Sequence, residues 1–344
     1  MTLTTTDMLE TLLADKDLSE ADAAALIVAM ANGEVEPALA GALLVALRHK
    51  GESPGEIRGF ALAMRELAHR PAIAAGPDYV DIVGTGGDGS GSLNLSTGSA
   101  LLAAACGLSV VKHGNRSITS RSGSADVLAA LGLPMPLGEE AAGRCLAATG
   151  FTFLFAPHYH PAMKRIGPIR KALGVRTAFN ILGPLVNPAE PPYHVIGAAS
   201  QSVAELMADT LAGMPIKRAF VIHGAAGWDE ATPIGPFHCY DVSDAKVVPS
   251  LRDPRDYGLA PCSAEDLLGG DAADNAARLR AALEGGDSKP HREALILGAA
   301  LALEVTGAAV DAAAGVARAR DALSGGDAAE FLARLDSFSA TERA

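Results

Sequence analysis

Aromatic residues are scarce in this 344-residue chain: Phe, Tyr and Trp together make up 4 %. A core with so few rings must be filled by aliphatic and small side chains, and hydrophobic residues, at 49 %, are plentiful enough to build one of good size. Cysteine is limited to Cys106, Cys145, Cys239 and Cys262. None forms a CxxC pair or falls at a Cys/His metal spacing, so reduced thiols are expected. Cys106, in the apolar run from Leu101 to Gly107, reads as a small core residue. No uninterrupted apolar run approaches the ~18 residues of a membrane helix. Met1-Thr2-Leu3-Thr4 also lacks the basic and apolar regions of an export signal, so a cytoplasmic protein without membrane contact is expected. Positive charge is short as well: 28 Lys and Arg against 40 Asp and Glu leave −12. That balance argues against nucleic acid as a partner unless the bases share one face. They do gather in sequence, from Lys112, Arg116 and Arg121 to Lys164, Arg165, Arg170, Lys171 and Arg176, which makes this span the place to look for a bound anion.

What is present divides the chain in two. Residues 1–69 carry only helical signals. Ser19 precedes an acidic first turn at Glu20-Ala21-Asp22, and Ser53-Pro54-Gly55-Glu56 is a capping box with proline at the first helical position. Leu39, Leu43, Leu44 and Leu47 recur at helical spacing. A linker is expected from Arg70-Pro71 through Gly76-Pro77. Beyond it, short apolar runs (79–83, 108–111, 151–155, 194–199, 218–223) alternate with helical stretches, and the last part is helix-rich. This pattern predicts an α/β domain over 78–335 with a mainly parallel central sheet, behind a small helical domain.

The densest chemistry begins where the first apolar run ends, at Gly84-Thr85-Gly86-Gly87-Asp88-Gly89. Glycines here let the backbone turn sharply and bring its N–H groups close to a ligand, the arrangement that binds phosphate. Ser92-Leu93-Asn94-Leu95-Ser96-Thr97 follows and leads into a helix whose N-terminus favours an anion. Gly84-x-Gly86-x-x-Gly89 matches a dinucleotide fingerprint formally, but seven residues separate the third glycine from Thr97. The next apolar run also ends in Lys112-His113 rather than in the acid a ribose diol requires. No GK[ST] ending supports an ATPase.

A second donor-rich block, Lys112-His113-Gly114-Asn115-Arg116-Ser117-Ile118-Thr119-Ser120-Arg121, follows the second run, and Ser122-Gly123-Ser124-Ala125-Asp126 opens the next helix. Two such loops from neighbouring strand ends make one polyanion site. Asp229-Glu230, on a Gly-rich loop after the 218–223 run, suits Mg²⁺, which takes hard oxygen ligands while bridging substrate phosphates. Arg170 offers a planar fork suited to a carboxylate.

These segments, with His160 to Pro188, resemble the anthranilate phosphoribosyltransferase family across most of residues 78–235. The resemblance implies the fold of pyrimidine nucleoside phosphorylases, a homodimer, and transfer of phosphoribosyl from 5-phosphoribosyl-1-pyrophosphate (PRPP) to anthranilate in tryptophan biosynthesis. Carried onto this chain, Gly84, Gly87, Asp88, Ser92, Asn94, Leu95, Ser96 and Thr97 would hold PRPP. Lys112, His113, Gly114, Asn115, Arg116, Ser117, Ile118, Thr119 and Ser120 would wrap its phosphates, with Ser124 adding a contact. Ser96, Asp229 and Glu230 would carry two Mg²⁺ ions. Asn115 and Arg170 would bind anthranilate, with Gly84, His113 and Pro184 lining its path.

A neutral aromatic amine needs no strong base, so no catalytic nucleophile or general base is nominated; positioning and leaving-group stabilisation carry the reaction. A nucleoside phosphorylase would show a different loop, of Lys-x-x-Ser-Gly-Arg-Gly type, where this chain has Lys112-His113-Gly114-Asn115-Arg116. Two positions depart from the family pattern. Trp228 stands where a smaller aliphatic is expected and could reshape the metal loop; Gly298 replaces an asparagine, with an effect expected on packing alone.

Overall fold

The computed structural model describes residues 3–74, 78–116 and 121–343. Four helices come first: α1 (Thr5–Leu13), α2 (Glu20–Asn32), α3 (Pro37–Lys50) and α4 (Pro54–Glu66). Their starts are set locally. Thr4 and Asp7 form one capping box and Ser53 and Glu56 another, while the Ser19 hydroxyl accepts from Asp22 N.

The remainder runs β1 (Tyr79–Gly84), α5 (Leu95–Ala105), β2 (Ser109–Gly114), α6 (Ser124–Ala130), α7 (Glu139–Thr149) and β3 (Phe151–Phe155). Next come α8 (Ala156–Tyr159), α9 (Met163–Leu173), α10 (Phe179–Leu182), β4 (Tyr193–Gly197), α11 (Gln201–Ala212) and β5 (Arg218–His223). The hairpin β6 (Phe237–Ser243) and β7 (Lys246–Arg252) precedes α12 (Ala272–Leu283), α13 (Lys289–Val305), α14 (Ala312–Gly325) and α15 (Asp327–Arg343).

Among the described residues, one sheet holds all seven strands in the order β3-β2-β1-β4-β5-β6-β7. The first five are mutually parallel; β6 and β7 are antiparallel additions at one edge. The expected mainly parallel sheet is present, and the hairpin is a feature that sequence reading did not foresee. Its turn, Asp244-Ala245, has positive φ at both residues (51° and 58°), as a type I′ turn demands, but carries neither the glycine nor the asparagine that would announce it.

Alternation along the strands divides the interior. On β5, Ala219 and Val221 join a core with α1 to α4 and α9 to α11, while Phe220 and Ile222 face a second core built on α5 and α13. The N-terminal helices thus share their core with α9 and α10, the segment that carries Arg170 and Pro184. The chain order turns back between β1 and β4, so their carboxyl ends form the crevice where open α/β sheets bind ligands.

Candidate active site

The Gly84–Asp88 loop leaves β1 at that crevice. It is tied to β4 by Thr85 N donating to Gly197 O at 2.9 Å and by Ala199 N donating to Thr85 Oγ1 at 3.2 Å. The segment carrying the acidic pair lies directly on the two strand ends. A Cβ at Gly84 would overlap the Asp229 carboxylate, and one at Gly197 would overlap the Asp229 carbonyl. Only glycine permits that approach. Asp229 Oδ2 in turn accepts from Gly86 N at 2.6 Å, and Asp88 Oδ2 accepts from Asp229 N at 3.3 Å.

This bedding gathers three carboxylates. Ligand oxygens of Asp88, Asp229 and Glu230 lie within 4.8 Å of one another. Burial pushes the Asp229 carboxyl up to about 7, with the neighbouring Asp88 charge adding to the rise. Burial, then the Asp229 and Asp88 charges, hold Glu230 well above the usual carboxylate range. Glu230 Oε2 is buried and has no partner among the described residues. Crowded acids with an orphaned buried oxygen have the chemistry of a cation site, and three hard oxygen donors fit Mg²⁺. Asp88 as a third acid was missed from sequence because it lies 141 positions from Asp229; the expected ligand Ser96 sits beside them at the start of α5.

Lys112 is buried (1 % exposed) beneath this cluster. Its ammonium donates to Ile82 O, and Ser96 Oγ lies 3.4 Å away. Burial brings it down to about 8, against the opposing charges of Asp81, Glu230 and Asp229. Asp81, fully buried, accepts from Asn187 Nδ2 at 2.8 Å and from His113 N at 3.3 Å; burial raises it to about 6. Asn187 also donates to Val111 O at 2.7 Å, so the segment after α10 is bolted to both β1 and β2.

His113 follows on β2. Its Nδ1 is 3.1 Å from Gly183 O, which requires the proton on Nδ1 and leaves Nε2 an acceptor without a partner among the described residues. Burial depresses it to about 3, so the ring is neutral at physiological pH. The next residue after that carbonyl is Pro184, itself buried. Arg170 is half-buried on α9, stacked over Phe179 at 5.3 Å to the ring centroid, with no acidic partner among the described residues.

The remaining candidates line the loop behind. Asn94 donates to Ser122 O at 3.1 Å and accepts from Asn275 Nδ2 at 2.9 Å. Thr97 Oγ1 donates to Ser124 Oγ at 3.1 Å. Ser92 Oγ accepts from Ser90, and Leu95 is core, so it could face a ligand only through its backbone. Gly114 ends β2, Asn115 Oδ1 accepts from Arg116 N at 2.7 Å, and Arg116 is exposed. Ser117, Ile118, Thr119 and Ser120 lie outside the described residues. Trp228 is absorbed into the core at 5 % exposure. Gly298 faces Ser99 on α5, where any Cβ would overlap the serine hydroxyl.

The helical bundle domain of a glycosyl transferase family matches residues 6–68, and that family's a/b domain matches 76–329. An anthranilate phosphoribosyltransferase of Desulforudis audaxviator is 45 % identical over 338 residues, covering 98 % of this chain and 96 % of its own. One of Rhodopseudomonas palustris is 44 % identical over 324 residues, covering 94 % and 95 %. Among solved structures, anthranilate phosphoribosyltransferase from Thermus thermophilus superposes with a TM-score of 0.91 at 41 % identity, covering 97 % of this chain and 99 % of that one. The Saccharomyces cerevisiae enzyme in complex with PRPP and Mg gives 0.88 at 26 % identity, covering 98 % of each. Fold and site therefore define a glycosyltransferase of the pentosyl-transferring class, built as a helical bundle joined to an α/β domain. Within that class, the chain belongs to the anthranilate phosphoribosyltransferase family.

Proposed function

We propose that this chain transfers the phosphoribosyl group of PRPP to the amine of anthranilate, giving N-(5-phosphoribosyl)anthranilate and pyrophosphate, as a step of tryptophan biosynthesis. The observation that carries the reading is the three-carboxylate cluster seated against the Gly84–Asp88 loop at the sheet's reversal point. Carboxylates able to hold Mg²⁺, beside a loop whose Gly87 N–H has no acceptor among the described residues, suit a diphosphate.

In this reading the backbone of Gly84, Gly87 and Asp88, the turn from Asn94 to Thr97 and the block from Lys112 to Ser120 bind PRPP, with Ser92 and Ser124 at its edge. Asp88, Asp229, Glu230 and Ser96 hold Mg²⁺, two ions in all. When bound, Mg²⁺ supplies positive charge to the departing pyrophosphate. Arg170 takes the anthranilate carboxylate, Asn115 and the acceptor Nε2 of His113 orient its amine, and Gly84 and Pro184 wall its path. The amine lone pair attacks C1 of the ribose as the C1–O bond to pyrophosphate breaks, and the nitrogen then releases one proton. No residue is assigned as base, because the anilinium formed on attack is acidic enough to lose that proton to water.

We assign the helical unit to 1–69 and the α/β unit to 78–335, and expect a cytoplasmic homodimer; among the described residues no helix is long and apolar enough to cross a membrane. An apolar groove between α3 and α9, with Val45 44 % exposed and Val175 48 % exposed nearby, supports self-association through this side. The test of activity is loss of anthranilate fluorescence on adding PRPP and Mg²⁺, with EDTA and PRPP-free controls. Loss that needs both establishes reaction and acceptor; PRPP binding without loss would move the acceptor to another amine.

A further inference from the structure

The Gly84–Asp88 loop is flanked by opposite charges. At Gly84 it touches the Asp229 carboxylate; at Gly87 it touches the guanidinium of Arg176. A Cβ at Gly87 would overlap Nη1 of Arg176 and lie 3.4 Å from its Cζ and 3.6 Å from Nη2. Gly87 has φ of 78°, so this face of the loop presents backbone and no side chain. A guanidinium carries donors and no acceptor. The Gly87 N–H of the same loop also has no acceptor among the described residues. Neither is satisfied by the protein around it, and one anion at this edge of the loop would take bonds from both.

Nothing local explains the arginine. It is exposed, and its guanidinium has no carboxylate partner among the described residues, although the chain carries a large excess of acids. Its position is nonetheless fixed from the backbone. Arg48 Nη1, from the helical domain, donates to Arg176 O at 2.8 Å. Thr177 N donates to Asn180 Oδ1 at 2.9 Å, and Gly174, at φ 64°, ends α9 just before it. Three restraints within four residues hold an unpaired guanidinium against the loop.

We infer that Arg176 is a further binding residue for the diphosphate of the phosphoribosyl donor, opposite the carboxylate cluster. The inference rests on the reading that the Gly84–Asp88 loop holds PRPP. A diphosphate lying along that loop meets cation-binding acids at one end and a planar charged fork at the other. Arginine is suited to such bidentate contact in a way lysine is not. Its charge faces a group that gains negative charge as the C1–O bond breaks.

The experiment compares Arg176→Gln, Arg176→Lys and Gly86→Ala with the parent enzyme. Gly86 also has positive φ (66°) but no neighbour within 4 Å, so its substitution disturbs the loop without touching Arg176. Inhibition by inorganic pyrophosphate and KM for each substrate are measured. Arg176→Gln is expected to raise the pyrophosphate inhibition constant and the PRPP KM about tenfold, with partial recovery in Arg176→Lys and less than about a twofold change in the anthranilate KM. If Gly86→Ala weakens pyrophosphate and Arg176→Gln does not, the role of Arg176 is overturned and the loop reading stands. If neither weakens it, the loop reading falls too. A rise in the anthranilate KM alone overturns the inference by giving Arg176 to the acceptor's carboxylate.

Discussion

Arg65 Nε, on the last turn of α4, donates a 2.8 Å hydrogen bond to the carbonyl of Leu185, 120 positions further along the chain. The arginine is 3 % exposed, and its Nη2 has no partner among the described residues. Two residues before Leu185, the Gly183 carbonyl fixes His113; two residues after it, Asn187 is bolted to Asp81. A charge from the helical domain therefore clamps the strip that shapes one side of the site.

Arg65→Met keeps most of the volume and removes the donor. It leaves a buried carbonyl unpaired, which costs about 1–3 kcal/mol, offset in part because a poorly paired buried charge is gone. The urea midpoint should fall modestly. The anthranilate KM should rise severalfold while the PRPP KM holds, because the strip and not the glycine loop loses its clamp. Equal increases in both would refute this division.

Gly197 tests the bedding of the acidic pair. Its Cβ position is filled by the Asp229 carbonyl, so Gly197→Ala must lift that segment off β4. Overpacking of this kind costs about 1–3 kcal/mol. The loss of turnover should be disproportionate, on the order of a hundredfold, as displaced catalytic groups allow. A variant with lowered stability but near-normal turnover at saturating Mg²⁺ would show that the cluster tolerates movement.

Asp229→Asn should separate stability from function. The amide oxygen can still accept from Gly86 N, while one of three crowded charges disappears. The sign follows from the raised carboxyl: a group at about 7 when folded and near 4 when unfolded costs stability progressively as pH rises through that range, and in full above about 7. Metal-free Asp229→Asn at pH 8 should thus be more stable than the parent by at least about 1 kcal/mol, while Mg²⁺ with pyrophosphate should no longer raise its melting temperature. Scanning calorimetry with and without ligand checks both; a lower metal-free melting temperature would contradict the repulsion argument.

Much of this is legible in the sequence alone. The glycine loop, the basic block and Asp229-Glu230 each sit at a strand end where local composition changes abruptly, and such breaks show in a linear reading. The five parallel strands were legible for the same reason: short apolar runs between helical stretches. What was not legible is pairing at a distance. Asp81 lies inside the 79–83 run with nothing to mark it, yet it is buried with Asn187, 106 positions away. Lys112 reads as a phosphate ligand; that its ammonium also donates to Ile82 O is a packing contact no linear reading shows. The β6–β7 hairpin was hidden by a turn whose backbone is of the expected type and whose residues are not.

His194 gives a pH-dependent prediction. It is fully buried on β4, and burial, with the Arg65 charge adding, depresses it to about 3. An unfolded histidine titrates near 6.5, so between 6.5 and about 3 the unfolded chain binds the extra proton. The stability the neutral ring contributes is complete above 6.5 and is lost as pH falls, by roughly 2 kcal/mol at pH 5. Buried acids such as Asp81, raised to about 6, work in the opposite direction over the same range, so the parent curve alone does not isolate the effect. The difference between His194→Asn and the parent does. The variant should lose less stability than the parent between pH 7.5 and pH 5 in urea titrations. Parallel losses would mean that His194 is protonated in the folded protein.

Ser99 and Gly298 form the last test, because they meet across the contact between α5 and α13. A Cβ at Gly298 would overlap Ser99 Oγ and lie 2.7 Å from Ser99 Cβ. The close crossing of the two helices therefore depends on glycine at one position and a small residue at the other. Gly298→Ala should destabilise by about 1–3 kcal/mol through overpacking. Ser99→Gly should cost about 0.5 kcal/mol through helix propensity. Combined, the two should cost less than their sum, since the glycine at 99 frees the space the new methyl takes. A coupling of at least about 0.5 kcal/mol in a double-mutant cycle is expected. Strict additivity would mean that the helices separate instead of colliding, and turnover would then fall in Gly298→Ala, because α5 carries Ser96 at its first turn beside the acidic cluster.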